Sequence, residues 1–390
     1  MTLARDFVPS RIKTSDPLHE PRMLTEAERE VFRVRSRNAR RAKDTASLSN
    51  HDVTHLVNKP TFDPALLMPQ QARNGLTTLS LFSGGGGLDL GFDRAGFVHT
   101  GSWELLDDAA STLRRARPDW AVFGGEAGDV RGVDWRQYKG NIAVMHGGPP
   151  CQPFSNAGKQ RGASDPRDMW PEFVRAVLAV KPEVFVAENV AALATARFTD
   201  YVATTIMSPL SSQYTIHQVK LQAYEFGVPQ ARRRVFFVGF LSARQGAKWA
   251  PPVPKFQRNT DLGNLPVVVG ARQALGLQPI GFDDVSPTIR SGLSGPRFTT
   301  SILSSVSAQR RYEALQIWPN GVAIDRQAAA RFAAKNGHFR LSVADVALLQ
   351  GFPEWWTFEG ATYMKLGQIG NSVVPPVAYE VAGSVAASFK

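Results

Sequence analysis

From residue 76 onward, short apolar runs alternate with stretches whose apolar residues recur every three to four positions. Residues 77–82 read as a buried strand, followed by a glycine cluster and a helical stretch over 88–95. Residues 98–103 read as a second strand and 107–116 as a helix, while 142–145 and 184–187 are apolar runs suited to central strands. Between those runs, 169–180 has helical spacing and is closed by Lys181-Pro182, since proline drives the preceding residue out of the helical region. Residues 235–240 read as one further strand. Repeated strand–helix alternation predicts an α/β fold, a sheet with helices on both faces. Ligands in such sheets bind beyond the carboxyl ends of the strands, near the topological switch point.

That rhythm breaks over residues 246–336, which are rich in Pro, Gly, Ser, Thr and Arg and predict a second, smaller and more irregular domain. Beyond it, 342–350 reads as a helix capped by Ser342 with Asp345 three positions on, and 375–389 as a final helix opened by prolines. Upstream, 21–48 reads as a helix opened by Thr25 with Glu28 at capping-box spacing. Its second half is strongly basic and suits either an arm on a phosphate backbone or a solvated face. Residues 60–75, with Pro60, Pro64, Pro69 and Gly75, read as a linker. The expected division is an N-terminal extension and linker over 1–75, a main domain over 76–245, the irregular domain over 246–340, and a segment over 341–390 that returns to the main domain.

Composition narrows the function classes. The chain has 390 residues, more than one core usually organises, with 43% apolar and 20% charged residues, as in ordinary globular proteins. Its formal net charge of +11 favours a polyanionic partner, although a solvated basic surface satisfies the same count. With Cys151 as the single cysteine, no intramolecular disulfide forms, which fits a reducing compartment. The first residues lack the apolar stretch of a signal peptide, and no apolar run approaches the roughly 18–20 residues of a membrane span. The expectation is a cytoplasmic, nucleoid-associated protein without a membrane partner.

Several segments carry candidate chemistry. Phe82-Ser83-Gly84-Gly85-Gly86-Gly87 follows a strand and precedes a helix, where glycine permits tight turns and close ligand approach. The dinucleotide fingerprint fails, because Asp89 and Leu90 stand where its third glycine belongs, which weakens a nicotinamide oxidoreductase reading. Glu104 lies about 20 residues past the first of these glycines, the spacing at which nucleotide sites place a carboxylate on ribose. Asp129 follows Gly128 at the end of another expected strand; an exposed acid satisfies both positions equally well. Cys151 sits in Gly147-Gly148-Pro149-Pro150-Cys151-Gln152-Pro153-Phe154-Ser155, a stiff loop after a strand, which suits a held nucleophile better than a packing cysteine. Glu188 ends the neighbouring expected strand, where burial would raise its pKa and make it a proton donor. In Gln230-Ala231-Arg232-Arg233-Arg234, alternation directs Arg232 and Arg234 to one side.

In this order, these segments resemble the motif blocks of the cytosine-5 DNA methyltransferase family, of the restriction–modification type. The blocks are the glycine loop, Glu104, Gly128-Asp129-Val130, Pro149-Pro150-Cys151-Gln152, Glu188-Asn189-Val190 and Gln230-x-Arg232-x-Arg234. They continue with Leu349-Gln350-Gly351-Phe352-Pro353 and Gly370-Asn371-Ser372-Val373. The resemblance covers roughly residues 76–390 and implies a Rossmann-like methyltransferase sheet plus a smaller target-recognition domain. It implies S-adenosyl-L-methionine as cofactor, double-stranded DNA as partner, and a monomer that flips cytosine from the helix. A cognate restriction endonuclease would act on the same site without forming a stable complex.

By the same resemblance, the Cys151 thiolate adds to carbon 6 of cytosine, Glu188 contacts ring N3 and the amine, and Arg234 with Arg232 holds the base carbonyl and the catalytic loop. Phe82, with Ser83, Gly84, Gly86 and Gly87, lines the cofactor pocket; Glu104 binds ribose, and Asp129 with Val130 meets adenine. Pro150 lines the methyl-donor side, while Asn371, Ser372 and Val373 complete the pocket. Gln152, Ser155, Lys159 and Arg161 belong to a mobile loop that closes on DNA. Arg290, Arg297, Arg310 and Arg311 lie in the recognition region as candidate DNA contacts. Three positions depart from the family pattern: Ser80 and Leu106 replace common acidic residues, and Leu105 replaces an aromatic one. The competing readings are an RNA cytosine-5 methyltransferase and a catalytically silent DNA-binding relic. A single cysteine weighs against the first, and Cys151 with Glu188 and both arginines against the second.

Overall fold

The structure, a computed structural model, describes residues 55–150, 168–258, 263–291, 299–331 and 337–390, together with Thr25, Glu26, Ala27, Glu30, Arg33 and Val34. Strands β1 (Thr77–Leu81), β2 (Val98–Glu104), β3 (Val122–Gly124), β4 (Val144–Gly147), β5 (Val184–Val190) and β6 (Thr215–Gln222) build one sheet. Two more follow in the chain, the short β7 (Gln230–Ala231) and the long β8 (Arg233–Phe240). The sheet order is β3-β2-β1-β4-β5-β8-β6, and β8 runs antiparallel to both of its neighbours. The strand order reverses between β1 and β4, so the crevice for a ligand opens at their carboxyl ends.

Alternation along β5 explains the two covered faces. Phe185 and Ala187 join the core formed with Trp103, Trp135, Trp170 and Phe237. Val184 and Val186 turn the other way, into the core formed with Phe92, Phe236 and Val381. Helix α3 (Trp170–Val180) covers the first face; α1 (Gly87–Arg94) and the C-terminal helix Pro375–Ala387 cover the second. Helix α2 (Asp107–Ala116) has the bounds that periodicity predicted.

In the second lobe, the part of the chain beyond β8, Ile289, Ile302, Tyr312, Ile317, Phe339 and Leu341 are buried in a core that they share with Leu90, Leu113 and Trp120. Its regular structure comprises β9 (Ser286–Pro287) beside β7, the parallel pair β10 (Ile317–Ala323) and β11 (Phe339–Ser342), and helix α4 (Val306–Ala314). Helix α5 (Val343–Leu349) then leads back, opened by the capping box of Ser342 and Asp345. Helices α6 (Thr362–Asn371) and α7 (Pro375–Ala387) complete the chain.

Four sequence expectations change. Strand β5 continues through Glu188 to Val190 because β8 pairs with it along that whole length, so Glu188 lies inside the strand. The strand before Asp129 ends at Gly124, and a 3-10 turn over Gly125–Gly128 intervenes. Strand β6, half-exposed, carries too weak an apolar signal to be foreseen. Residues 60–75 are an ordered strap packed on both lobes, with Met68 fully buried, not a free linker. Of the predicted N-terminal helix, Glu26, Ala27, Glu30, Arg33 and Val34 are helical directly after Thr25, and the remainder lies outside the described residues.

His146 on β4 lies stacked on Phe92 at 4.4 Å, and burial pushes its pKa down to about 4. Unfolded, it takes up a proton near pH 6.5; folded, it stays neutral until far lower pH. Its stability contribution is therefore complete above about pH 6.5 and is lost as pH falls towards 4. A His146→Phe variant should escape up to about 3 kcal/mol of that acid destabilisation in urea titrations across this window. Parallel pH dependence in the two proteins would contradict it.

Candidate active site

Four chain segments converge beyond the β1–β4 crevice. The first is the glycine loop, where Phe82 takes a left-handed φ of 55° that a non-glycine residue adopts only under constraint. Two of its glycines are required by packing: a Cβ at Gly86 would enter the Trp356 ring, and one at Gly87 would strike the Val373 carbonyl. Gly84 differs, since the space at its Cβ position is open but for the Phe82 carbonyl 3.9 Å away. The ligand-facing part of the loop is thus Gly84, while Gly85–Gly87 seat the loop on the C-terminal return. Trp356 donates its indole N–H to the Gly85 carbonyl at 3.0 Å. Ser80 and Ser83 share a hydroxyl hydrogen bond of 2.8 Å, so Ser80 serves the loop.

Glu104, at the end of β2, accepts from Gly84 N at 2.6 Å and Leu106 N at 2.8 Å, one bond on each oxygen. Burial raises its pKa and the backbone donors oppose the rise. Each carboxylate oxygen retains a lone pair, so the group keeps capacity for a ribose hydroxyl. Asp129 accepts from Arg131 through both oxygens, at 2.6 to 3.0 Å, and this holds its carboxyl below the usual range. An adenine amino group bound there would share Asp129 with Arg131. Val130 beside it is buried. The open face at Gly84, the Glu104 carboxylate and the aromatic Phe82 fit an adenosyl cofactor.

The second centre is Glu188 on β5. Because β8 is reversed, its first residues arrive at the carboxyl edge of β5, with Arg234 opposite Val190. Arg234 therefore lies diagonal to Glu188 on one face, and its Nε reaches Oε1 at 2.9 Å. Both side chains are largely buried. Burial lifts the Glu188 pKa above the usual carboxylate range, opposed by Arg234 first and Arg232 second. A Cβ on Gly148 would stand 3.3 Å from Oε2, so the loop after β4 passes directly over this carboxylate. Asn189 donates its amide to the Pro149 carbonyl at 3.0 Å, and so clamps the loop that leads to Pro150 and Cys151.

Arg232 has a different setting from Arg234. It is buried in the short break between β7 and β8 and donates to the carbonyls of Ile289, Gly370 and Ser372 at 2.7 to 3.0 Å. Gln230 donates to the Leu349 carbonyl and to Gln350, and Gln350 donates to the Ser372 carbonyl. These side chains bring Ser372 and Val373 onto the glycine loop, with Asn371 ending α6 just before them.

A family model described as C-5 cytosine-specific DNA methylase matches residues 76–387. The chain belongs to that family. Type II methyltransferase M.NgoMIV of Neisseria gonorrhoeae is 33% identical over 319 residues, covering 80% of this chain and 98% of that protein. Type II methyltransferase M.NaeI of Lentzea aerocolonigenes is 32% identical, covering 80% and 75%. Solved structures share the fold. A DNMT2 mutant of Spodoptera frugiperda matches with TM-score 0.54 at 15% identity, over 80% of this chain and 99% of that one. The Entamoeba histolytica methyltransferase EhMeth matches with TM-score 0.53 at 15% identity, over 82% and 100%. The enzyme is thus a DNA cytosine-5 methyltransferase with an S-adenosylmethionine-dependent fold. Among the described residues, no helix is long and apolar enough to cross a membrane.

For this methylase, the structure brings together Phe82, Ser83, Gly84, Gly86, Gly87 and Glu104 with Ser372 and Val373, and separately joins Glu188, Arg234 and the Pro149-Pro150 turn. Cys151, Gln152, Ser155, Lys159, Arg161 and Arg297 lie outside the described residues. Arg311 is engaged with Asp284 at 3.3 Å and with the Val285 carbonyl, whereas Arg310 is exposed. Arg290 is partly buried and ties its backbone N–H to Ile302. Sequence reasoning missed Trp356; the Trp355-Trp356 pair, one residue beyond Gly351-Phe352-Pro353, was the available signal. It also assigned no part to Gln230, Gln350 or Asn189, whose roles depend on partners remote in sequence.

Two outcomes follow. Arg232→Met strands three carbonyls and should cost about 3 kcal/mol or more in denaturant unfolding, with weaker cofactor binding by calorimetry. Wild-type cofactor affinity in that variant would show that the Ser372 contact is dispensable. For Glu188, a folded pKa above the unfolded one means stability is complete below the unfolded value and declines as pH rises through the folded one. The stability difference between wild type and Glu188→Gln should therefore move in the variant's favour as pH rises above the ordinary carboxylate value of 4.5. A constant difference would rule out the raised pKa.

Proposed function

We propose that the enzyme methylates carbon 5 of a flipped-out cytosine within a specific duplex sequence, by way of a covalent bond between Cys151 and carbon 6. The observation that carries this reading is the buried Glu188–Arg234 pair beneath the Gly148-Pro149 turn that leads directly to Cys151. S-adenosylmethionine, when bound, supplies an electrophilic methyl group on its sulfonium. Phe82, Glu104, Asp129 and Val130, with Pro150 and the Asn371-Ser372-Val373 return, would hold it beside the loop.

The residues of this chain then do the following. The Cys151 thiolate adds to carbon 6, and the electron pair of the 5,6 double bond gives carbon 5 the nucleophilicity it lacks. Negative charge grows on ring N3 and the carbonyl as this occurs. Glu188, held towards its protonated form by burial, donates to N3, and Arg234 faces the base carbonyl. Carbon 5 takes the methyl, loses its proton to a base, and the Cys151 sulfur leaves to restore the double bond. Arg232 acts through the Ser372 and Gly370 carbonyls, in support of the pocket. Flipping the base costs a few kcal/mol, which contacts from the basic second lobe would offset. Arg290, Arg297 and Arg310 are the candidates for those contacts, and Gln152, Ser155, Lys159 and Arg161 are candidates from the loop that follows Cys151.

Two relatives are named Type II methyltransferases, which supports a role as the modification half of a restriction–modification pair. An adjacent endonuclease gene is the expected genomic sign, and its absence would favour a solitary methylase.

The test is transfer of labelled methyl groups to mixed-sequence duplex DNA and, in parallel, to total RNA, followed by bisulfite sequencing of the DNA. Label should enter DNA and vanish in Cys151→Ser, with methylated cytosines sharing one sequence context. Label in RNA alone would replace the DNA reading with the RNA one. Label that survives in Cys151→Ser would eliminate the covalent step.

A further inference from the structure

The segment that precedes the methylase match, residues 55–75, is bound along its length to both lobes. At the second-lobe end, Thr61 N and Phe62 N donate to the Ala274 carbonyl at 3.1 and 3.3 Å. The Lys59 carbonyl occupies the space a Cβ on Gly276 would need, and Gly276 has a φ of +67°. At the sheet end, the Met68 carbonyl accepts from Arg94 at 2.7 Å, Gln71 N donates to Arg94 O at 2.9 Å, and Arg73 pairs with Asp93 at 2.8 Å. Arg94 closes α1, the helix that follows the glycine loop.

Asn58 is the junction of this strap. It is buried, and its amide donates at 3.0 Å to both the Leu275 carbonyl and Asp345 Oδ1. Asp345 is fully buried; its other oxygen accepts from Ser342 N and Oγ, and Arg326 shares Oδ1 at 2.9 Å. This carboxylate caps the start of α5. A buried carboxylate needs its donors, and among those of Asp345 it is Asn58 that also binds Leu275, so this amide joins the start of α5 to Leu275.

We propose that Asn58 is a positioning residue for DNA recognition: from the strap it holds Asp345 and Leu275, and so sets the second lobe against the catalytic sheet. This rests on the reading of the second lobe as the DNA-recognition lobe. Asn58 touches neither cofactor nor the reacting base, so its loss moves the lobe that binds DNA and leaves the chemistry intact.

The experiment compares full-length wild type with Asn58→Ala and Asn58→Asp. Steady-state methyl transfer gives KM for duplex DNA and kcat, and calorimetry gives Kd for S-adenosylmethionine. Asn58→Ala should raise KM for DNA roughly ten-fold, with kcat and cofactor Kd within about two-fold. Asn58→Asp should be worse, because it sets a second carboxylate against Asp345. Hydrogen exchange should quicken in both variants over residues 273–276 and 342–349, and stay unchanged in the glycine loop and β1. An unchanged KM for DNA overturns the proposal. So does a cofactor Kd that rises in parallel with KM, which would mark general loosening. If wild type transfers no methyl group to DNA, the functional reading fails by itself, and exchange alone judges the brace: unaltered exchange at 273–276 overturns it.

Discussion

A buried guanidinium held by three backbone carbonyls is the constraint on which the active-site architecture depends. Arg232 stays charged at any pH the protein meets, so its position is tenable only while carbonyls surround it. Those carbonyls come from Ile289 in the second lobe and from Gly370 and Ser372 in the C-terminal return. Each bond to a charged donor contributes about 1.5–3 kcal/mol, and an orphaned charge costs more than any one of them. The contact therefore ties three segments in one step. Once Ser372 and Val373 are set, they meet Gly85 and Gly87, and the glycine loop has room only because those positions lack a Cβ. Gly84 N then reaches Glu104, which brings the ends of β1 and β2 into one pocket.

The second organising feature is the reversal of β8. A parallel strand at that place would carry Arg233 and Arg234 to the far edge of the sheet. Running antiparallel between β5 and β6, it delivers Arg234 to the edge where Glu188 and the loop after β4 meet. Two opposed effects then act on Glu188. Burial disfavours its charged form, and the arginines favour it; burial is the larger. The outcome is a buried carboxyl with a raised pKa although a guanidinium lies beside it.

Much of this was legible along the chain, for definite reasons. The order of strands and helices follows from apolar spacing, and α2, α3 and α7 begin and end close to where capping, proline and periodicity put them. Glu104, Glu188 and the glycine loop could be picked out because strand ends are where such sheets bind ligands. The errors are equally specific. Strand β5 was read too short because hydrophobicity stops at Ala187, while pairing with β8 continues through Glu188 and Asn189. Strand β6 has half-exposed residues and little apolar contrast. The strap looked like a linker because its prolines and glycine mark irregular backbone, yet irregular backbone packs well when its polar groups find partners.

By itself the sequence determined the layered α/β class, the family and the order of its motif blocks. Local propensity and residue chemistry suffice for that, since each depends on neighbours within a few positions. Tertiary structure alone decided that Arg232 serves the scaffold while Arg234 serves Glu188, although two positions separate them. It also decided that Asp129 shares its carboxylate with Arg131, and that Asn58 reaches Asp345 across the chain. Those assignments depend on strand direction and on which distant carbonyls and carboxylates stand within about 3 Å, the range over which a hydrogen bond acts.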